Sequence, residues 1–233
     1  LVTQRNMTSN QRALAQVYPF LAGGSPPVVV DWQPWHHCGG GCFNLHAAIA
    51  NGGAYYCDLG RPTEEGIGLT LDNLRDLSPT LHFNVPLGYD LLLRALEADS
   101  DAAARFFGDL RLIVYSAAGM PDSLWRRLEA LAVNRLGERI PMVSSYGMTE
   151  LAPMHTTVHW PVDRAGLIGA PVPGCEVKLV PAPDNPDGAL DGRFELRAKG
   201  PNVSPGYLKA PALTEAARDA DGWFHSGDAV RMV

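Results

Sequence analysis

Residues 110–150 read LRLIVYSAAGMPDSLWRRLEALAVNRLGERIPMVSSYGMTE. Leu110–Tyr115 is a short run of apolar and β-branched residues, the composition of a buried strand. Pro121–Leu136 follows as an amphipathic helix, with Pro121 at an allowed first-turn position and Asp122 or Ser123 near its start. Met142–Tyr146 is the next strand. This strand–helix–strand order recurs upstream: helix 3–22, strand 27–30, helix 43–50, strand 54–57, helix 71–77, strand 80–85 and helix 89–98. Alternation of this kind predicts an α/β fold, a mostly parallel sheet with flanking helices.

After about residue 165 the texture changes. Helical patterns nearly vanish and Gly and Pro become frequent. Glu176–Val180 and Arg193–Arg197 alternate polar and apolar residues, separated by a turn-rich stretch at 181–188. The expectation is an α/β unit over 1–165, its sheet incomplete, followed by a small β-barrel-like unit over 166–233.

Composition narrows the function. The chain has 233 residues, 46% hydrophobic and 19% charged, which excludes a disordered or collagen-like polymer. No run reaches the roughly 18 apolar residues of a membrane span, and no signal peptide is visible. The net charge of −6 argues against nucleic acid as the main partner but leaves room for one bound nucleotide. Only three of the 19 basic residues are lysines (Lys178, Lys199, Lys209), so lysine chemistry is confined to the last quarter. The four cysteines, Cys38, Cys42, Cys57 and Cys175, come without a secretion signal, so free thiols and a cytoplasmic location are expected.

Two strings carry chemistry. Ser144–Glu150 falls at the C-terminal end of a parallel strand, where open α/β sheets bind ligands. There Gly147 permits close backbone approach, Tyr146 offers a flat face, Thr149 a hydroxyl, and Glu150 a hard oxygen ligand suited to Mg²⁺. Gly222–Asp228 places a carboxylate after a glycine in a β context, where it could accept from a ribose diol. Each string alone also fits an inert turn: a capped strand end for the first, a hairpin tip for the second. A third cluster, His36-His37-Cys38 with Cys42 and His46, could hold Zn²⁺, although its spacing is not that of a zinc finger or ribbon.

Taken together and in this order, the strings resemble the AMP-forming acyl-CoA synthetases of the adenylate-forming superfamily. Tyr146–Glu150 is similar to that family's YGxTE motif and Gly222–Asp228 to its GW(F/Y)xTGD motif, with Ser226 where Thr is commoner. Gly166–Gly174 resembles GxxGxPxPG, Gly200–Tyr207 resembles RGPNVMxGY, and Ser116–Pro121 resembles the turn that borders adenine. The stretch from Asp31 through Gly53 resembles the LPxxH…GG region, in wording nearest the feruloyl-CoA synthetase-like branch. The resemblance implies an ATP-dependent carboxylate–CoA ligase that forms an acyl-adenylate and then a thioester. Its partners would be a small-molecule carboxylate, ATP and coenzyme A, with AMP as product, Mg²⁺ as cofactor and a homodimer as a candidate assembly.

The resemblance also implies roles. Tyr146, Gly147 and Met148, with Ala117, Ala118 and Gly119, would contact the nucleotide. Thr149 would touch the α-phosphate, Glu150 would hold Mg²⁺, and Asp228 the ribose. His37 would sit at the mouth of the acyl tunnel, and the glycines at 39–41 would leave room for substrate. The sequence departs from the family in lacking the Ser/Thr/Gly-rich phosphate loop, the hinge after the Gly-Asp motif, and the lysine of the small C-terminal domain. The expectation is the middle of an adenylation domain, inactive by itself. The alternative is a non-catalytic adenine-nucleotide-binding module.

Overall fold

A computed structural model describes residues 1–181 and 192–233. Beyond Pro181, the turn expected at 181–188 lies outside the described residues. In chain order the first part comprises α1 (Gln4–Val17), β1 (Val28–Asp31), α2 (His46–Ala50), β2 (Ala54–Cys57), α3 (Ile67–Asp76), β3 (Leu81–Asn84), α4 (Pro86–Ala98), α5 (Ser100–Gly108), β4 (Leu112–Tyr115), α6 (Asp122–Leu136), β5 (Met142–Gly147), β6 (Met154–Thr157) and β7 (Ala170–Pro171). These strands form one seven-stranded sheet, ordered β2-β1-β3-β4-β5-β6-β7. The first five are parallel, and β6 and β7 run antiparallel beside them. The chain continues through β8 (Glu176–Pro181), β9 (Phe194–Lys199), α7 (Pro211–Ala216) and β10 (Phe224–Val230). The second sheet is antiparallel, ordered β10-β9-β8.

The apolar run at 112–115 follows from burial on both faces. Ile113 and Tyr115 point into a core built with Leu92, Leu96, Phe106, Trp125 and Leu128 from α4, α5 and α6. Leu112 and Val114 point the other way, into a core with Leu14, Tyr18, Phe43 and Ala47. A period of two with no polar face is what a central parallel strand requires. A third, smaller core joins the two sheets: Leu151, Leu196, Ala198, Val203 and Phe224, with Tyr146 and Met148 packed against it.

The first helix is shorter than expected. It opens with a capping box between Thr3 and Asn6 and stops at Val17, because Pro19 cannot continue it; Pro19–Leu21 forms a single 3₁₀ turn. The second helical segment begins earlier than expected, as a wide-wound turn over Gly39–Leu45 that runs into α2. Helix α6 ends as its sequence suggests, with Gly137 at φ +76.

One buried group gives the fold a pH dependence. His82 is 2% exposed, with Nδ1 3.2 Å from the Tyr89 hydroxyl and its ring edge-on to Phe106. Burial pushes its pKa down to about 4, against a weaker upward pull from Asp58. The unfolded histidine titrates near 6.5, so the unfolded chain takes up a proton that the folded chain refuses. The contribution is full above about pH 6.5 and falls as pH drops toward 4, by about 3 kcal/mol in total. Urea midpoints compared near neutral pH and near pH 4.5 should fall more steeply for the wild type than for His82→Gln. Equal slopes would remove His82 as the cause.

Candidate functional site

The parallel strands end on a common edge, and the loops that follow β1, β3, β4 and β5 share it. Tyr146, near the end of β5, pairs with Thr156, while Gly147 already pairs with Met154, so the ladder slips there and β5 turns out of the sheet. Gly147 is required by contact, not by dihedral: a Cβ at this position would lie 1.6 Å from the Pro153 carbonyl oxygen. Met148 is extended and Thr149–Leu151 form a 3₁₀ turn. Thr149 is exposed at its start, Glu150 is half-buried, and Leu151 anchors the turn in the third core.

Asp228 reaches the same edge from the second sheet. It does not sit at a hairpin tip. His225 pairs with Arg197 and Ala229 with Glu195, so Ser226, Gly227 and Asp228 bulge opposite Leu196, with Gly227 at φ +74. Bulges of this kind re-aim a side chain beside a site. The Ser226 hydroxyl donates to the Leu196 carbonyl and accepts from the Asp228 amide at 3.1 Å, which fixes the bulge. The Tyr146 hydroxyl donates to Asp228 Oδ2 at 2.8 Å across 82 residues of sequence. Burial, with the negative Asp228 beside it, drives the phenol's pKa well up, so Tyr146 stays a neutral donor.

The loop after β4 lies beside this pair, because β4 and β5 are neighbours in register. Ser116 Oγ donates to the Ser145 carbonyl at 3.3 Å, and Ala117 takes a left-handed conformation at φ +71. Ala117, Ala118 and Gly119 are exposed, small residues that leave the edge open beside Tyr146.

Glu150 is braced from the 200–207 segment. Its carbonyl accepts from the Ser204 amide at 2.7 Å, and its Oε1 accepts from the Tyr207 hydroxyl at 2.9 Å. Among the described residues nothing donates to Oε2. Asn202, 1% exposed, clasps the turn from below by donating to the Leu151 and Met154 carbonyls at 2.8 and 2.9 Å. Asn202 and Tyr207 both lie inside a string quoted above, yet sequence reasoning gave neither a part in the site.

The structure does not bring His37 to this cluster. His37 is exposed, and its contacts stay in its own loop, through Pro34, Gly39 and Gly41. That loop follows β1, whose axis lies three strand spacings, roughly 14 Å, from that of β5. The glycines after it do not leave room for a substrate, contrary to expectation. Gly39, Gly40 and Gly41 are buried, and their missing side chains are replaced by neighbouring groups. A Cβ on Gly40 would meet the Pro34 carbonyl oxygen at 2.7 Å and one on Gly41 the Trp35 carbonyl oxygen at 2.2 Å.

The donor set fits Mg²⁺ at Glu150. That ion takes one or two carboxylates together with substrate phosphates and water, and Glu150 offers one hard oxygen with no donor against it. A zinc centre is not formed: among the described residues no three His, Cys, Asp or Glu side chains gather as metal ligands, His36, His37, Cys38 and Cys42 included. The four cysteines are free. Among the described residues no helix is long and apolar enough to cross a membrane.

Comparison with known proteins gives a consistent result. The family profile described as "AMP-binding enzyme" matches residues 1–208, which takes in Tyr146–Glu150 and Tyr207. A long-chain-fatty-acid–CoA ligase of Salmonella typhimurium is 29% identical over the whole chain, which spans 39% of that protein. A malonate–CoA ligase of Arabidopsis thaliana is 29% identical over 66% of this chain and 23% of its own length. Among solved structures, a malonyl-CoA ligase with methylmalonyl-CoA and AMP bound is 32% identical, with a TM-score of 0.77 over 99% of this chain and 46% of that one. The chain thus spans less than half the length of each of these relatives.

Proposed function

The chain belongs to the AMP-binding enzyme family, and from that membership we propose that it is the nucleotide-binding part of an ATP-dependent carboxylate–CoA ligase. The observation that carries this reading is the meeting of Tyr146 and Asp228, from different sheets, beside Glu150 at the C-terminal edge of the parallel strands. A flat ring, a carboxylate and a metal-suited carboxylate on one open edge match a base, a ribose and a phosphate chain in order.

In this reading the adenine lies against Tyr146 and the small residues Ala117, Ala118 and Gly119, with Gly147 and Met148 as the floor. Asp228 accepts from the ribose hydroxyls, and Thr149 donates to the α-phosphate. Glu150 holds Mg²⁺, which supplies neutralisation of phosphate charge when bound. The carboxylate substrate attacks the α-phosphorus and pyrophosphate leaves; the thiol of coenzyme A then displaces AMP from the acyl-adenylate. For such transfers most of the rate comes from positioning and charge stabilisation. His37, on the loop after β1, is assigned to the mouth of the acyl tunnel, where the carboxylate substrate would enter.

On the acyl side we read an aromatic acid of the feruloyl type. The aromatic residue two positions before His37 supports this: Trp35 lies edge-on to Tyr55 at 6.1 Å, and Tyr55 donates to the buried Asp31 at 2.9 Å. Titration calorimetry with AMP on this chain should give a saturable one-site isotherm. With AMP present, ferulate should bind more tightly than dodecanoate or malonate. No heat with AMP would overturn the nucleotide reading, and equal affinities for the three acids would overturn the acyl one.

A further inference from the structure

Tyr207 stands outside the nucleotide contacts named above, yet it is the side chain that touches Glu150. Its hydroxyl donates to Glu150 Oε1 at 2.9 Å, and the two residues are 57 apart in sequence. Both ends of this contact are braced. On the tyrosine side, the Tyr207 amide donates to Thr214 Oγ1 at 2.9 Å, and that hydroxyl donates onward to the Ala210 carbonyl. Gly206 lets Thr214 come this close, because a Cβ there would lie 2.3 Å from Thr214 Cγ2. On the glutamate side, the Ser204 amide donates to the Glu150 carbonyl, and the Arg218 guanidinium in turn holds the Ser204 and Gly222 carbonyls. A short helix, a glycine and an arginine thus serve one hydrogen bond.

We infer that Tyr207 is a positioning residue for the Glu150 carboxylate. By holding Oε1 it turns Oε2, which has no donor among the described residues, toward the divalent cation of a bound nucleotide. The inference rests on the reading of Glu150 as the Mg²⁺ ligand. A free glutamate side chain has three torsions to order when it meets a cation, and a fixed one has already lost them. Hydrogen bonds that orient a metal-ligating side chain are commonly worth about 10- to 100-fold in metal affinity.

The test is calorimetry of ATP binding to this chain, with and without excess Mg²⁺. In the wild type Mg²⁺ should tighten ATP binding. Tyr207→Phe should keep the Mg²⁺-free affinity and lose about tenfold of the Mg²⁺ enhancement. Thr214→Val should shift the enhancement the same way, and Tyr207→Phe combined with Glu150→Gln should be no worse than Glu150→Gln alone. An unchanged enhancement in Tyr207→Phe overturns the inference. So does an equal loss with and without Mg²⁺, which marks a merely structural role. If the wild type shows no enhancement, or Glu150→Gln keeps it, the reading of Glu150 itself fails and the inference falls with it.

Discussion

Gly147→Ala is expected to cost at least about 3 kcal/mol of stability, at the upper end of what overpacking does. The added methyl would sit 1.6 Å from the Pro153 oxygen and 2.7 Å from its carbonyl carbon, both backbone atoms. Backbone yields only if the segment it belongs to can move, and this one is held at Met154: its carbonyl accepts from Asn10 at 2.6 Å and from Asn202 at 2.9 Å. Relief would therefore have to come from β5, and β5 carries Tyr146. The substitution should lower the urea midpoint and weaken AMP binding together. Gly227→Ala makes the contrast. Nothing lies within 4 Å of its missing methyl, so only the φ of +74 resists, at about 1 kcal/mol. A midpoint for Gly147→Ala no lower than that of Gly227→Ala would show that the 147–154 turn is freer than its hydrogen bonds imply.

The parallel core is readable in sequence because strands such as β1 and β4 are short, largely apolar and bounded by turn residues, and helices such as α4 and α6 repeat at 3.6. Segments that depart from that pattern do so for physical reasons. Helix α5 has no boundary of its own in the sequence pattern, because α4 and α5 meet at a single residue, Asp99, whose side chain caps the second helix by accepting from Ala102 at 2.9 Å. Strand β6 gives no strand signal in sequence because it is largely polar and still buried. Thr157 Oγ1 lies 2.7 Å from the Tyr18 hydroxyl, Thr156 Oγ1 donates to the Ile168 carbonyl at 2.6 Å, and His155 Nε2 lies 2.9 Å from the Glu176 carbonyl. Polar groups satisfied inside the molecule leave no hydrophobic pattern. The glycines at 39–41 look like open space in a sequence, and only the fold shows the backbone of residues 34 and 35 filling it.

The same distinction runs through the site. Residue types were legible locally, since a glycine followed by a hydroxyl and a carboxylate at a strand end already suggests phosphate and metal. Pairings were not. Tyr146 with Asp228 and Tyr207 with Glu150 span 82 and 57 residues, and Asp228 is aimed by a bulge that depends on Ser226 finding the Leu196 carbonyl.

Asp228→Ala should weaken AMP binding by about 100-fold. A hydrogen bond to a charged acceptor contributes roughly 1.5–3 kcal/mol, a ribose diol makes two, and each 1.4 kcal/mol is tenfold. Part of that gain is offset, because Tyr146 already occupies Oδ2 in the free protein and must yield it or share it. The offset makes Tyr146 informative in two ways. Tyr146→Phe keeps the ring and frees Oδ2, so AMP affinity should hold or rise slightly. Tyr146→Ala removes the ring and should cost tenfold or more, the scale of one base stacked on an aromatic. Asp228 is exposed at the end of a bulge whose geometry is held by Ser226, so its removal should leave the urea midpoint almost unchanged. The sharpest form of the test uses 2′-deoxy-AMP. The wild type should prefer AMP over the deoxy analogue, and Asp228→Ala should bind the two alike, because the group that reads the missing hydroxyl is gone. If Asp228→Ala still binds AMP as the wild type does, the carboxylate does not face the ribose and the nucleotide must lie elsewhere on the sheet edge.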